Sequence, residues 1–391
     1  KVGDLCPVGP VPKKKEKMMK KRVAFYTLGC KVNQYETNAM IQKFINSGYK
    51  VVDIEENADI YVVNTCTVTN MSDRKSRQVL RRFKEKNPDS VVVAVGCYVQ
   101  VAKDEVEKID EIDICLGNLE KNDIVSYVED YINTSMQKDR VEVVDVMNQK
   151  EYCDFGSVTY TDKTRAVVKI QDGCDRFCSY CIIPYARGRV RSRSIESIVE
   201  EIKQIVDKGI KEVVITGIHI ASYGRDFKNG IELIDLLEKI NEIDKLERIR
   251  LGSIEPLLIT EKFINRLLKL EKICHHFHLS LQSGCDDTLK RMNRRYTTEE
   301  FRNIVDILRK NYDDVILTTD IIVGFPGETE EEFNKTYEFL KEIKFYKMHV
   351  FKYSPRKGTK AAQMKCQIDG NEKERRSKIL IELSEENQKR Y

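Results

Sequence analysis

Apolar strand-like runs and helical stretches alternate along almost the whole chain from Arg22 onwards. This alternation predicts parallel β-sheets covered by helices, because parallel strands need long crossover connections and these are usually helical. The first five runs are Val23–Leu28, Val51–Ile54, Ile60–Asn64, Val91–Val95 and Ile112–Leu116. We expect these runs to form an open parallel α/β sheet.

Six further strand–helix repeats begin near Thr164, and their number suits a partial (β/α)6 barrel with its chemistry at the carboxyl ends of the strands. We therefore predict an α/β chain with four parts. These are a disordered leader over 1–19, native or added by cloning, a first domain over 20–135, a linker over 136–163 and a barrel domain over 164–391. The chain is expected to end on an amphipathic helix over 373–391.

The composition narrows the class of protein. Of the 391 residues, 41% are hydrophobic and 33% are charged, and no apolar run approaches the roughly 20 residues of a membrane span. Twelve cysteines without small-domain spacing favour metal or cluster chemistry in a reducing compartment. We expect a cytoplasmic protein with no membrane partner. The net charge of +4 says little about nucleic acids, and no DNA partner is predicted.

Three cysteines, Cys174, Cys178 and Cys181, follow the apolar run Ala166–Ile170 in one short loop. We call them the loop trio. Their C-x3-C-x2-C spacing can hold three corners of a 4Fe–4S cube and leaves one iron open to a small molecule. Structural zinc is a weaker reading because closed zinc sites use four ligands, commonly in C-x2-C pairs. Incidental cysteines are the third reading.

Three other cysteines, Cys30, Cys66 and Cys97, each stand at the carboxyl end of a predicted strand. We call them the sheet trio. Ligands of open α/β sheets bind at those ends, so the three thiols are expected to converge and to hold a second cluster. Three buried structural cysteines are the alternative. Gly29 and Gly96 precede two of the thiols and permit tight exits from the strands.

Four arginines, Arg187, Arg189, Arg191 and Arg193, alternate over seven residues after the loop trio. In an extended segment all four guanidinium groups would lie on one face, where they suit phosphate or carboxylate. A solvated edge is the alternative reading.

The sequence resembles a known family at three places. The loop trio, with Tyr180 before its last cysteine, resembles the radical S-adenosylmethionine (SAM) signature. The segments YTLGCKVNQYE at 26–36 and CIIPYARGRVRSR at 181–193 resemble the radical SAM methylthiotransferases. The wording LGCKVNQYE is most similar to the MtaB-type members, which modify threonylcarbamoyladenosine in tRNA. The resemblance covers roughly residues 20–390.

This resemblance implies two 4Fe–4S clusters, one on each trio, and SAM both as radical source and as methyl donor. It implies methylthiolation of C2 of N6-threonylcarbamoyladenosine at position 37 of tRNA, with the anticodon stem-loop, a reductant such as flavodoxin or ferredoxin, and a sulfur donor as partners. It assigns SAM contacts to Tyr180, Thr216, Gly217, Ser253, Glu255, Gln282 and Arg294. It favours tRNA phosphate or SAM carboxylate as the ligand of Arg187, Arg189, Arg191 and Arg193. The C-terminal TRAM β-barrel of the family is expected to be absent.

Three other functions stay open at this point. The first is a methylthiotransferase for isopentenyladenosine in tRNA or for an aspartate of a ribosomal protein. The second is a non-catalytic iron–sulfur protein for electron transfer or sensing. The third is a zinc-stabilised RNA-binding module.

Overall fold

The computed structural model describes residues 21–134, 141–161 and 163–390, so the predicted leader at 1–19 lies outside the described residues. The elements of the first half are β1 (Arg22–Thr27), α1 (Lys31–Asn46), β2 (Lys50–Val51), β3 (Ile60–Thr65), α2 (Asn70–Lys86), β4 (Val91–Gly96), α3 (Cys97–Val101), α4 (Lys103–Val106), β5 (Ile114–Leu116), α5 (Ile124–Asn133) and β6 (Val141–Glu142). Those of the second half are β7 (Ala166–Asp172), α6 (Ile183–Arg187), β8 (Arg191–Ser192), α7 (Ile195–Asp207), β9 (Glu212–Gly217), α8 (Leu233–Asn241), β10 (Arg248–Leu251), β11 (Ser253–Ile254), α9 (Glu261–Leu267), β12 (His276–Leu279), α10 (Asp286–Arg291), α11 (Thr298–Asn311), β13 (Ile316–Val323), α12 (Glu330–Ile343), β14 (Lys347–Lys352) and α13 (Gly370–Arg390).

The N-terminal sheet has the strand order β2-β1-β3-β4-β5-β6, and every neighbouring pair is parallel. β3 and β4 are buried along their whole length, because apolar clusters around Phe83 and Phe44 cover the sheet. Strands covered on both faces have continuous apolar sequences, which explains the unbroken runs of the sequence. The prediction of an open parallel sheet is confirmed.

The segment predicted as a linker takes part in this sheet. β6 lies within it and pairs in parallel with β5 as an edge strand. Further along, Val158 packs against Tyr35 of α1, and the Gln42 amide donates to the Ser157 carbonyl at 2.8 Å. The described part of the segment therefore joins the two halves of the molecule through specific contacts.

The second half contains six parallel strands in consecutive order: β7, β9, the pair β10 and β11, β12, β13 and β14. β10 and β11 are separated only by Gly252, and a bridge from Ile249 to Ile273 joins the two four-stranded sheets. Helices cover the outer face and share one large apolar core. Six strand–helix repeats were predicted from the sequence, and the structure confirms them.

Local sequence signals explain why the helices of this half begin where they do. Thr297 and Thr329 cap α11 and α12, and each forms a reciprocal pair of bonds with the glutamate three residues on. The last helix, α13, buries Leu380 and Leu383, while the Ser384 hydroxyl accepts a hydrogen bond from the Met348 amide at 2.9 Å. Among the described residues, no helix combines the length and the apolar character that a membrane crossing requires.

The two halves meet along α1, which packs against β7 and β9. The Tyr35 hydroxyl donates to Glu201 of α7 at 3.0 Å. On another side, Arg356, in the loop after β14, pairs with Asp73 of α2 at 2.6 Å and donates to Thr67 at 2.6 Å. The carboxyl ends of β1, β3 and β4 thereby face the barrel domain.

Candidate active site

The sheet trio stands at the exits of three adjacent strands. Cys30 precedes α1 after β1, Cys66 directly follows β3, and Cys97 is the first residue of α3 after β4. The three thiols are close enough to affect one another electrostatically. Burial, with Cys97 and Cys30 adding to it, raises the pKa of Cys66 to about 11. Burial is also the main cause of the raised pKa of Cys30, which Arg187 opposes.

The exposure of Cys30 needs a physical explanation. By accessible surface Cys30 is exposed, whereas surrounding protein atoms desolvate its thiol enough to raise its pKa. The Cys30 sulfur therefore borders an accessible space that protein atoms largely enclose. A thiol in such a place can bind a group larger than a single ion.

Two glycines make the approach of these thiols possible. Gly29 has φ +100°, and a Cβ at this position would lie 2.8 Å from the Cys66 sulfur. Gly96 has φ +102°, and a Cβ there would lie 2.7 Å from the Asn64 side-chain oxygen. Any side chain at either position would therefore combine backbone strain with a steric clash. The glycines are part of the geometry of the sheet trio.

The loop trio directly follows the carboxyl end of β7. The Cys174 amide donates to the Gly188 carbonyl at 3.0 Å, and the Cys181 amide donates to the Cys178 carbonyl at 2.9 Å. Burial raises the pKa of Cys174 to about 11 and that of Cys181 to about 12, and Cys178 adds to both shifts. Arg294 donates to the Cys178 sulfur at 3.4 Å. Cys174 and Cys181 thus lie in an environment that is poor in water.

The distances between the sulfurs of each trio bear on whether the trio could hold a single zinc ion. Two thiolates on one tetrahedral zinc lie about 3.8 Å apart, as follows from Zn–S bonds of about 2.3 Å. Within the described residues, which include all six thiols, neither trio brings its three sulfurs within 4.8 Å of one another. That separation is too wide for three thiolates on one zinc ion.

A buried ionic network lies between the two trios. Its centre is Glu36 of α1, which is 1% exposed and accepts from Lys121 at 2.6 Å, from Lys169 of β7 at 2.7 Å, and from Arg187. Burial alone would raise the pKa of Glu36, but Arg187, Lys121 and Lys169 lower it well below its usual range. Burial likewise opposes ionisation of Asp172, yet Lys169, Arg187 and Arg191 lower its pKa to about 2. Both carboxylates are therefore ionised at neutral pH.

Arg187 connects this network to the sheet trio. Its Nε donates to the Cys97 sulfur at 3.2 Å, and its terminal nitrogens donate to Glu36 and, at 2.6 Å, to the Asn33 side chain. Arg187 belongs to α6, the short helix that directly follows the loop trio. One guanidinium group thus links the barrel domain to a thiol of the other domain.

The expected tRNA or SAM contacts of the four arginines need correction. Arg187, Arg191 and Arg193 are at most 2% exposed, and each is bonded to protein groups. Arg193 pairs with Glu201 at 2.9 Å. The segment is not one extended face, because α6 ends at Arg187 and only two residues form β8. Arg189 alone is exposed and accessible to an external ligand.

Most of the residues assigned to SAM lie at or near the carboxyl ends of the barrel strands. Thr216 and Gly217 end β9, Ser253 and Glu255 flank Ile254 of β11, and Gln282 follows β12. Gln282 has φ +73°, a left-handed conformation that is uncommon outside glycine and is often found at functional sites. The Tyr180 ring packs edge-on against Phe325 with ring centroids 6.4 Å apart.

Glu255 and Arg294 already have protein partners. The Glu255 carboxylate pairs with Arg176 and lies 3.0 Å from His219 Nε2. Arg294 donates to the Tyr296 hydroxyl and to the Ser280 carbonyl, both at 3.0 Å, besides its contact with Cys178. These two side chains position the walls of the pocket around the loop trio.

Sequence reasoning also missed Glu36, Asp172 and the two buried lysines. One signal was available, because Lys169 interrupts an otherwise apolar strand, and a cation there needs a buried carboxylate. Nothing local identified Glu36 as that partner, since the two residues are 133 positions apart.

Two family models match the chain. The model described as "Radical SAM superfamily" matches residues 168–340, and the one described as "Uncharacterized protein family UPF0004" matches residues 22–117. The first region contains the loop trio and the second contains the sheet trio.

Curated relatives align over nearly the whole chain. Threonylcarbamoyladenosine tRNA methylthiotransferase MtaB of Bacillus subtilis is 46% identical over 94% of this chain and 81% of its own length. The protein of that name from Aquifex aeolicus is 43% identical, over 95% and 89%. A tRNA-2-methylthio-N(6)-dimethylallyladenosine synthase of Clostridium tetani is 36% identical, over 93% and 82%.

Solved structures share the fold at low sequence identity. The radical SAM methyltransferase TsrM of Kitasatospora setae superposes with a TM-score of 0.64 at 16% identity, covering 86% of this chain and 77% of TsrM. This likeness supports the fold, an α/β domain beside a radical SAM barrel.

Proposed function

The chain belongs to the radical SAM methylthiotransferase family, and we propose that it adds a methylthio group to C2 of N6-threonylcarbamoyladenosine at position 37 of tRNA. The observation that carries this proposal is the pairing of two separate thiol trios across one interface, joined by Arg187 and Glu36. Transfer of sulfur to an unreactive C–H bond needs a radical source and a sulfur site side by side. The two trios meet that requirement.

The choice of substrate rests on the relatives. The two with the higher identities, 46% and 43%, are named for threonylcarbamoyladenosine, and the one named for dimethylallyladenosine is 36% identical. The second candidate is therefore methylthiolation of an isopentenyl-type adenosine in tRNA. Both candidates share the chemistry of the site and differ in the group on N6.

The cofactors that fit the residues are two 4Fe–4S clusters and SAM. Cys174, Cys178 and Cys181 would hold the first cluster, and Cys30, Cys66 and Cys97 the second. When bound, these groups supply the electron, the 5′-deoxyadenosyl radical that activates C2, and the sulfur and methyl that are added. Because burial raises the pKa of several of these thiols, cluster binding must displace protons from the protein.

The chain itself would orient the reactants and exclude water. Tyr180 joins an apolar cluster with Met292, Phe325 and Tyr353 beside the loop trio, and the Ala361 amide donates to the Ser179 carbonyl at 2.8 Å. An apolar wall protects a reactive radical from competing hydrogen donors. We propose that SAM contacts are made by Tyr180, Thr216, Gly217, Ser253, Glu255, Gln282 and Arg294. Protein partners orient two of them, Glu255 and Arg294.

Further parts of the proposal concern organisation and partners. We propose that 20–135 forms a methylthiotransferase domain and 164–391 a radical SAM domain, with 136–163 connecting them. The anticodon stem-loop would be the part of tRNA that binds, in the cytoplasm, and a flavodoxin or ferredoxin would supply electrons. A separate donor would replace the consumed sulfur.

Product analysis tests the proposed function. The reconstituted protein, with dithionite and SAM under anaerobic conditions, is incubated with anticodon stem-loop RNA carrying N6-threonylcarbamoyladenosine or N6-isopentenyladenosine. Mass spectrometry should show a methylthio product on the first RNA. Product on the second RNA alone would establish the second candidate, and SAM cleavage without a methylthio product on either RNA would contradict both.

A further inference from the structure

A polar cavity of about 380 Å³ opens inside the barrel, below the exits of the strands. We call it the lumen cavity and define it by six of its lining residues: Lys31, Arg250, His278, Thr318, Asp320 and His349. All but Lys31 come from the barrel strands. Lys31, the residue after Cys30, enters from the other domain, so the lumen cavity exists only where the two domains meet.

The charges around the lumen cavity are unbalanced. Lys31 is exposed, and its ammonium group makes no hydrogen bond or ion pair with any residue in the described ranges. Glu212, near the base of the cavity, is shared by three arginines, with contacts of 3.0 Å to Arg248, 3.0 Å to Arg250 and 3.4 Å to Arg165. Lys347 is a further exposed cation of the lining. Cations therefore outnumber carboxylates here, and the positive potential attracts anions.

The single carboxylate of the lining does not balance this excess. Asp320 lies 3.1 Å from His278 Nε2, while His278 Nδ1 lies 3.0 Å from the Thr318 hydroxyl. Burial, then Arg250, His278 and Lys31, lower the pKa of His276 to about 4. Its imidazole is therefore neutral at physiological pH and can hydrogen-bond to a ligand.

A metal ion is the competing occupant of the same space. His278, Asp320 and His349 place one ligand atom each within 4.8 Å of the others. Two histidines and a carboxylate can bind a transition metal. Lys31, Arg250 and Lys347 would repel such an ion, however, and they favour an anionic group that also accepts hydrogen bonds.

The lumen cavity adjoins the reacting groups. Lys31 directly follows Cys30 of the sheet trio, and Ser253, assigned to SAM, also lines the cavity. The Gln282 amide donates to the Asp320 carbonyl at 2.9 Å, so the base of the SAM pocket and the cavity share a strand contact. A substituent on the reacting base could therefore reach Lys31 while the base stays between the trios.

We propose that the lumen cavity binds the carboxylate-bearing N6 substituent of the target adenosine, and that Lys31 pairs with its carboxylate and determines substrate specificity. This inference rests on the proposed function and adds to it the part of the protein that distinguishes an anionic substituent from an apolar one. An isopentenyl group would displace water from the lumen cavity and leave Lys31 and the polar lining without partners, which is costly.

The test compares two stem-loop RNAs that differ only in charge. One carries N6-threonylcarbamoyladenosine and the other its carboxamide, in which a neutral amide replaces the carboxylate. The dissociation constant and kcat/KM are measured for both RNAs with the reconstituted wild type and with Lys31→Met, Lys31→Arg and Asp320→Asn. Lys43→Met, on the same helix and outside the cavity, is the matched control.

The wild type should prefer the carboxylate RNA by about 10- to 100-fold, the range for a charge-assisted hydrogen bond. Lys31→Met should remove most of this preference, Lys31→Arg should retain it, and Asp320→Asn should increase it because a competing negative charge is lost. Lys43→Met should match the wild type. Lys31→Met and Asp320→Asn should change the preference for the carboxylate RNA in opposite directions, which a general effect on folding would not do.

Several results would overturn the inference. These are equal binding of both RNAs by the wild type, equal losses on both RNAs in Lys31→Met, or one bound metal ion besides iron that His349→Ala removes. The dissociation constants separate this inference from the proposed function. Tighter binding of the carboxylate RNA without any methylthio product would support the role of the lumen cavity and contradict the proposed reaction. Methylthio product with equal binding of both RNAs would support the reaction and contradict the role of the cavity.

Discussion

The sheet trio and the loop trio are assembled in different ways. The loop trio lies within one turn of chain after β7, and backbone hydrogen bonds to nearby residues shape it. The sheet trio takes its thiols from the exits of three strands, so the whole N-terminal sheet must fold before they meet. In each trio one sulfur accepts a hydrogen bond from an arginine. Arg294 belongs to the same domain as its cysteine, and Arg187 does not.

This difference means that the loop trio can be complete in the barrel domain alone, whereas the sheet trio needs the docked barrel domain. Arg187 contacts Cys97 from across the interface, and Glu36 holds Arg187 in place from the sheet side. Formation of the sulfur site and docking of the domains are therefore coupled. The predictions below separate the two trios, from the largest expected effect to the smallest.

Removing one thiol from each trio should give opposite phenotypes. Cys174→Ala should abolish SAM cleavage, because the cluster that reduces SAM loses a ligand. Cys97→Ala should still form 5′-deoxyadenosine and should make no methylthio product. Both products are measured by mass spectrometry after anaerobic turnover, with Cys153→Ala as the control. A methylthio product from Cys97→Ala would contradict the role of the sheet trio.

Neutralising the centre of the network should weaken docking. Glu36→Gln leaves Lys121, Lys169 and Arg187 buried without their shared carboxylate, and loss of one partner in such a group costs about 3–5 kcal/mol. The free energy of unfolding is measured by urea titration of the cluster-free protein. Glu85→Gln, on the exposed face of α2, is the control and should change it little. Equal effects of the two substitutions would show that the network does not stabilise docking.

The same network predicts a direction for acid sensitivity. Glu36 and Asp172 both have lowered pKa values, about 2 for Asp172, so their contribution to stability is complete above the usual carboxyl range near 4. It should be lost only as the pH falls from about 4 toward 2. Glu36→Gln should show a smaller loss over this window than the wild type, as measured by urea titration at a series of pH values. The same dependence of unfolding free energy on pH in both proteins would contradict a stabilising role for ionised Glu36.

Two arginines, Arg187 and Arg294, donate hydrogen bonds to cysteine sulfurs. Replacing either one with lysine should shift the reduction potential of one cluster and leave that of the other unchanged. A hydrogen bond to a ligand sulfur stabilises the reduced cluster, and its loss should lower the potential by on the order of 50 mV. Arg187→Lys should act on the cluster of the sheet trio, and Arg294→Lys on that of the loop trio. Redox titration followed by electron paramagnetic resonance measures both. A shift of the same cluster in both variants would contradict the two-site account.

The smallest effect is expected at Arg189, the exposed member of the four arginines. Its guanidinium lies over the Phe177 ring, 4.7 Å from the centroid, where it can reach an RNA phosphate. Arg189→Ala should weaken stem-loop binding a few-fold and reduce the salt slope by about one. Fluorescence anisotropy at several salt concentrations measures this slope, with Arg302→Ala, at a half-buried arginine of α11, as control. An unchanged slope would exclude a phosphate contact.

Much of the fold could be predicted because its signals are local. The sequence predicts a helix over Glu330–Ile343, and α12 has these bounds, since its capping signal and its apolar spacing are both local. The sequence also predicts a helix over Glu36–Asn46, but α1 begins five residues earlier, at Lys31, because Cys30 precedes it in place of a Ser, Thr, Asp or Asn cap. The strand exits that carry the two trios followed directly from the pattern of apolar runs.

The parts that could not be predicted depend on distant partners. The alternating arginines suggested an exposed face, and the acidic partners that bury Arg187 and Arg193 come from Glu36, Asp172 and Glu201. Glu36 belongs to the other domain, 151 positions from Arg187, whereas Glu201 is only eight positions from Arg193 but lies on α7. Both pairings depend on how separate elements pack, and a local sequence pattern does not encode that.

Iron and sulfide content is the most direct test of the central claim that the two trios bind separate clusters. We would measure both, with Mössbauer spectra, in the wild type and in two triple alanine variants, one for each trio, after anaerobic reconstitution. The wild type should bind about eight irons per chain and each variant about four, as one 4Fe–4S cluster per trio requires. About four irons in the wild type, all lost with the loop trio and none with the sheet trio, would contradict the account.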